Sequence, residues 1–387
     1  MKKIIVACDS FKGCLSSREV AAAVAGALRA CGVPQVVELP VADGGEGTVE
    51  ALVAASPAAM RWVECEVPSP LPELPPVQAR YAIDAAGATA YLELAQASGL
   101  ALVPHDRRDI MRASTLGTGL MLLDAVEHGC THLVLGLGGS ATCDGGMGVL
   151  AALGVEFVDA LGHLLPPCAE SLAKVHEIDC TGLRDDIAHA RVTLLADVDN
   201  PLCGPQGAAR VFSPQKGATP AQVEAIEAAM QRFARLLGNT AMLPGAGAAG
   251  GVGAALTAFL PMCRITPGAQ FVLERAGLAR HLAGADLVIT GEGRIDAQTA
   301  MGKIPWHVAE TAWQHGVPVV ALCGSVAGRV QAHTLGMDCI VAVTPPHMPL
   351  DIALRPDVAR TNLRRAAGSL LTQLHLTTEK ETKSSSK

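Results

Sequence analysis

Four short segments of the 387-residue chain bring glycines, hydroxyls and charges together where an apolar run gives way to a helical pattern. In open α/β sheets such loops lie at the carboxyl ends of the strands, where ligands bind. The first is Asp9-Ser10-Phe11-Lys12-Gly13. A hydroxyl, an ammonium and a helix start meet there, which suits an anionic oxygen ligand. A capped turn with a solvated lysine is the plainer alternative. The second, Asp43-Gly44-Gly45-Glu46-Gly47-Thr48, sets two carboxylates among glycines at a helix start. They could hold Mg2+ or accept hydrogen bonds from hydroxyls, although an Asp N-cap beside turn glycines accounts for much of the pattern.

The third segment runs from Gly136 to Gly146 and contains five glycines, with Gly138-Gly139-Ser140 at its turn and Asp144 near its end. Its backbone N–H groups and the Ser140 hydroxyl suit a phosphate or carboxylate. Asp144 adds a second candidate metal ligand beside Asp43. The fourth is Thr290-Gly291-Glu292-Gly293-Arg294-Ile295-Asp296. Read as a loop after a strand, its acid and base could grip a carboxylate or a nucleotide. Lys303 would reach a phosphate if a helix begins beside it. Asp197 and Asp199, with Asn200, follow an apolar run at 192–196 and suit a general base or metal site; an Asx turn into Pro201 is the alternative. Residues 245–250 match G-x-G-x-x-G, with Gly247 and Gly250 as nucleotide contacts, but no strand precedes them and no acid sits at the ribose spacing. A phosphate-cradling loop leading into a helix at 252–260 remains open.

The elements that position these segments read as α/β. Ile4–Cys8, Val36–Val41, Leu133–Leu137, Val192–Ala196, Leu287–Thr290, Val319–Cys323 and Ile340–Val343 are expected strands, several buried on both faces. Ser16 with Glu19 forms a capping-box pattern before a helix. Helices are also expected over 46–55, 118–128, 145–153, 220–237, 305–315 and 358–374. After Trp62 the texture changes, with short antiparallel strands at 78–83 and 89–94 and a loop-rich stretch from Phe157 to Leu183. Similar texture at both ends and a different middle suggest a discontinuous α/β domain carrying an inserted α+β domain. The boundaries fall at 1–65 plus 283–376 for the first and 66–282 for the second, with 112–150 assignable to either. A cleft between two such domains is a usual ligand site. The tail at 377–387 reads as disordered.

Composition excludes several classes. Half the residues are apolar, 17% are charged and the net charge is −7. A large core follows, and a nucleic-acid binder is not expected. No run is long enough to span a bilayer. The twelve cysteines include no Cys-x-x-Cys pair, so free thiols in a reducing cytoplasm are expected. There is no G-x-x-x-x-G-K-[ST], no H-E-x-x-H and no G-x-S-x-G, which argues against P-loop, zincin and α/β-hydrolase chemistry.

Together the stretches ACDSFKGCLSS, PVADGGEGTVEAL, LGLGGSATCDGGMG, LADVDNPLCGPQGAARVFSPQKGA, GAGAAGGVG and TGEGRIDAQTAMGK closely resemble the bacterial glycerate kinase family. The similarity runs from Lys3 to about Gly324 and more loosely to Leu374. Cys8 stands where the family pattern has Pro, and Cys14 where Ser is common; neither removes a charge. The resemblance implies a two-domain protein with a Rossmann-like parallel-sheet domain and an inserted second domain. It also implies ATP, Mg2+ and D-glycerate, with 2-phosphoglycerate as the usual product, in a monomer or homodimer. On that basis Asp197, Lys12 and Asp296 are the candidate catalytic groups. Ser10, Asp43, Glu46, Gly139, Ser140 and Arg294 would bind substrate. Gly247, Gly250, Glu292 and Lys303 would bind nucleotide. A nucleotide-dependent oxidoreductase and a non-catalytic carboxylate-binding protein are the competing classes.

Overall fold

The structure, a computed structural model, describes residues 1–56, 59–297, 299–328 and 330–384. Its strands are, in chain order, β1 (Lys3–Cys8), β2 (Gln35–Glu38), β3 (Met60–Val67), β4 (Val77–Asp84), β5 (Thr89–Glu93), β6 (His132–Gly136), β7 (Glu156–Val158), β8 (Glu177–Asp179), β9 (Arg191–Ala196), β10 (Cys263–Pro267), β11 (Leu287–Ile295), β12 (Val319–Val326) and β13 (Cys339–Ala342). The chain divides into two compact units, one of residues 1–43, 50–56 and 269 onward, the other of 44–49 and 57–268.

The first unit holds an all-parallel sheet in the order β13-β12-β11-β1-β2. By position within the unit this is the 2-1-3-4-5 order of doubly wound sheets, and it reverses between β1 and β11. Connections leave to opposite faces at such a reversal, which opens a crevice beyond the carboxyl ends of the two strands. Ile4 to Cys8 are fully buried, as a strand covered on both faces must be. Ile4, Val6 and Cys8 pack with Val20, Val24 and Leu28 of the Ser17–Ala30 helix and with Leu363 and Ala367 of the closing helix. The Ser17–Ala30 helix starts as its sequence predicts. Glu19 N–H donates to Ser16 Oγ, and Ser16 N–H donates back to the Glu19 carboxylate at 3.0 Å.

The second unit holds a six-stranded mixed sheet in the order β10-β9-β6-β5-β4-β3 and a separate β7–β8 pair. β3, β4 and β5 are antiparallel, while β5, β6, β9 and β10 run parallel. Gly136 at the end of β6 lies in register with Leu195 of β9, so the Gly138-Gly139-Ser140 turn and the Asp197 loop leave neighbouring strands at the same edge. The Pro220–Leu237 helix has the bounds its sequence predicts, opened by a Thr219–Gln222 capping box.

Several expectations differ from the structure. The chain leaves the first unit after Ser56 rather than at 65, because Met60–Val67 pairs along its whole length with Val77–Asp84. It returns at Ala269 rather than 283, and residues 112–150 lie in the second unit. The segment read as a loop at 290–296 is strand through Ile295. Its glycines allow close sheet packing: a Cβ on Gly291 would fall 1.9 Å from Leu322 O, in the neighbouring strand. The closing helix runs from Pro356 to Ser384, past the point where disorder was expected. No glycine or proline interrupts residues 369–384 to stop it. Residues 385–387 lie outside the described residues.

Candidate active site

Three buried carboxylates mark the strand reversal of the first unit. Asp9 directly follows β1, Glu292 lies on β11, and Asp43 sits beyond β2. Asp9 N–H donates to Gly291 O at 2.8 Å, which ties the two central strand ends together. Asp9 Oδ1 accepts from Ser10 N–H. Burial, then the Asp43 charge, pushes the Asp9 carboxyl up to about 8, while Lys12 and the Ser10 bond pull it back. Lys12 Nζ lies 3.2 Å from Asp43 Oδ2, and the lysine side chain is otherwise exposed. Glu292 accepts from Thr299 Oγ1 at 2.7 Å and pairs with Lys303 Nζ at 3.4 Å. Burial raises its carboxyl against those two partners. A helix begins at Ile304, immediately after Lys303, with Pro305 in its first turn. The structure thus gathers Ser10, Lys12, Asp43, Glu292 and Lys303 at the sheet's carboxyl edge. Arg294 instead sits largely exposed, with Nε 3.6 Å from Asp296 Oδ2.

In the second unit Gly44 and Gly45 pack over the ends of β6 and β9. Gly44 nests against Leu195 and Gly268, and a Cβ on Gly138 would fall 2.5 Å from the Gly45 Cα. A Cβ on Gly139, whose φ is +75°, would meet Glu46 Oε1 at 2.8 Å, so Glu46 and the Gly138-Gly139-Ser140 turn are neighbours. Asp197 follows β9 and is exposed. Lys216, a residue that sequence reasoning did not single out, is buried beside this turn. Its ammonium donates to Ser140 Oγ and to Thr142 O, each at 2.7 Å.

Two groups of expected site residues have other duties. Asp144 is fully buried, and its carboxylate accepts from Thr115 N–H, Thr115 Oγ1, Gly146 N–H and Gly148 N–H at 2.7–3.1 Å. With its lone pairs engaged at the start of the Met147–Ala152 helix, it has no coordination to offer a metal. Gly247 and Gly250 are buried, not open to a phosphate. Gly247 N–H donates to Asn200 O, and added Cβ atoms would fall 2.3 Å from Pro201 O and Thr142 O respectively. These glycines permit close backbone crossings, which explains a Gly-rich run without a preceding strand.

The chain is similar to known proteins over almost its whole length. A profile of the glycerate kinase family matches residues 4–375. The chain belongs to the glycerate kinase family. It is 40% identical over 381 residues to the glycerate 2-kinase of Escherichia coli K12, covering 96% of this chain and 98% of that one. It is 39% identical over 385 residues to a glycerate kinase of Bacillus cereus (strain ATCC 10987 / NRS 248), covering 98% and 99%. A crystal structure from Salmonella typhimurium LT2, provisionally named glycerate kinase 2, superimposes with a TM-score of 0.82 at 39% identity over 98% of this chain and 99% of that one. As a member of this family the protein is a phosphotransferase with a mixed α/β fold.

Asp9 and Lys216 are the site residues sequence reasoning missed. Asp9 had a readable signal, an acid placed directly after a fully apolar strand. Lys216 had none, because its partners lie more than seventy residues away in sequence. All twelve cysteines are free. Among the described residues no helix is long and apolar enough to cross a membrane.

Proposed function

We propose that this chain transfers the γ-phosphoryl group of ATP to D-glycerate in the cytoplasm, forming 2-phosphoglycerate, with Mg2+ as the accompanying cation. The observation that carries this reading is the buried carboxylate cluster of Asp9, Asp43 and Glu292 at the β1/β11 reversal, edged by Lys12 and Lys303. Among the described residues no three His, Cys, Asp or Glu side chains converge into a complete metal cage. Mg2+ is commonly held by one or two carboxylates with water and substrate phosphates completing its shell. Asp43, with Asp9 or Glu292, would hold it, and the ion would neutralise charge on the transferring group.

The remaining roles follow from phosphoryl transfer, in which the protein mainly positions reactants and balances charge. Lys12 and Lys303 offer ammonium groups to phosphate oxygens, and the helix start at Ile304 adds favourable backbone dipoles. Ser10 and Glu46 are assigned to substrate hydroxyls. Asp197, exposed at the end of β9, is assigned to accept the proton of the attacking hydroxyl, with Asp296 as its substitute. A coupled assay tests the function: ADP release should require D-glycerate, ATP and Mg2+ together. Phosphorus NMR of the product should show 2-phosphoglycerate. Release of ADP without glycerate, or a 3-phosphoglycerate product, would overturn the respective part of the reading.

A further inference from the structure

Lys216 closes a short turn, Pro214–Lys216, and is 4% exposed. Among the described residues no carboxylate lies within ion-pair distance of it. Its hydrogen-bond partners are neutral, the Ser140 hydroxyl and the Thr142 carbonyl. Burial pulls the ammonium below the ordinary lysine range, while Cys143 and then Asp144 favour its charge only through space. A buried ammonium with no carboxylate in contact is costly to the folded state. Tying a loop to a carbonyl would need only a neutral donor. The positive charge itself therefore calls for an anion. A second observation points the same way: Thr142 Oγ1, on the residue whose carbonyl Lys216 grips, is buried with no hydrogen-bond partner among the described residues.

The hydrogen-bond directions sharpen this. An ammonium has donors only, so Ser140 Oγ must accept from Lys216. The Ser140 proton is then left to donate to something else. Resting on the reading of D-glycerate as acceptor, we propose that the Ser140 hydroxyl binds the substrate carboxylate and that Lys216, acting through Ser140, supplies the charge that selects it. Ser140 makes the contact; Lys216 is the positioning residue. One ammonium balances one carboxylate, whereas a triphosphate needs several cations. Arg294, the sequence-based choice for this carboxylate, is largely exposed and already near Asp296, so water weakens its discrimination.

The test uses the full chain with Lys216→Met, Ser140→Ala and Ser140→Thr. Wild-type turnover of D-glycerate is measured first; its absence refutes the functional reading, not the Lys216 assignment alone. With turnover established, K216M should raise the KM for D-glycerate about 100-fold, the scale seen when one member of a buried charge pair is removed. Its KM for ATP should stay within about threefold, and its Tm should hold or rise because an uncompensated charge has gone. Wild-type preference for D-glycerate over the uncharged D-glyceramide should collapse in K216M. S140A should show the same KM pattern in a weaker form, and S140T should restore it. An unchanged KM for glycerate with a lowered Tm would make Lys216 a structural tie and overturn the proposal. So would a rise confined to the KM for ATP. Should K216M fail to fold, an S140A enzyme with unaltered glycerate KM overturns it equally.

Discussion

Replacing Asp144 by Asn distinguishes a structural carboxylate from a metal ligand by the sign of the stability change. Oδ2 takes three donors, Thr115 N–H at 2.8 Å, Thr115 Oγ1 at 2.7 Å and Gly148 N–H at 3.1 Å, while Oδ1 takes only Gly146 N–H at 3.0 Å. Asn therefore keeps its oxygen on the crowded side and turns its NH2 toward Gly146 N–H. One hydrogen bond becomes a buried donor facing a donor, at about 1–3 kcal/mol. Losing the charge weakens the other three bonds, so a total loss of about 2–4 kcal/mol is expected. For a unit of this size that lowers Tm by roughly 4–16 °C. If Asp144 were instead a metal ligand, removing a buried charge would stabilise the metal-free protein and raise the Mg2+ needed for activity. Thermal melts in EDTA, paired with a Mg2+ titration of turnover, measure both. A D144N protein more stable than wild type, or one with unchanged Tm that needs tenfold more Mg2+ for activity, would refute the structural assignment.

Asp9→Asn should behave oppositely. Burial raises the Asp9 carboxyl from 3.8 to about 8, so the folded state holds a proton that the unfolded chain releases. Wild-type stability should therefore fall as pH rises from near 4 through 8, and metal-free D9N should lose that slope and melt higher at pH 8.5; parallel slopes in melts from pH 6 to 9 would refute it. Gly250→Ala places a Cβ 2.3 Å from Thr142 O at a φ of +68°. It should cost about 2–4 kcal/mol in denaturant unfolding and leave the KM for ATP of the folded fraction unchanged, whereas a raised KM at full stability would return Gly250 to the nucleotide. Asp197→Asn should cut kcat by about 100-fold or more while Tm stays within about 2 °C; undiminished turnover would remove Asp197 from the proton-accepting role.

How much of this was legible depended on the range of the interaction. The β1 strand and the Ser17–Ala30 and Pro220–Leu237 helices could be read because their signals are local. A run of apolar residues, a Ser16–Glu19 box and a Thr219–Gln222 box all act within a few positions. The glycines misled because one residue serves several ends. Gly291 was taken for a turn and serves a strand pressed against Leu322. Gly247 and Gly250 were taken for a phosphate cradle and admit Pro201 and Thr142 backbone instead. Asp144 looked the same as Asp43 in a Gly-rich segment, yet one carboxylate meets four internal donors and the other faces an exposed lysine. Only the folded partners separate them.

Each unit buries a charged group whose close partners do not balance it. In the first, three buried carboxylates are answered by two lysines, of which Lys12 is mostly in water. In the second, the buried Lys216 ammonium hydrogen-bonds only neutral groups and touches no carboxylate among the described residues. Neither arrangement is what folding alone would favour, since burying like charges together or a lone charge raises the free energy of the native state. A cation with its phosphates would relieve the first, and a carboxylate would relieve the second. Each ligand should then stabilise the protein by more than its size suggests. Mg2+ with nucleotide and D-glycerate should each raise Tm in wild type. The Mg2+ effect should shrink in D9N with the glycerate effect intact, and the reverse should hold in K216M. A ligand shift that survives the loss of its own charge partner would break the link between local charge imbalance and ligand choice on which the functional assignment rests.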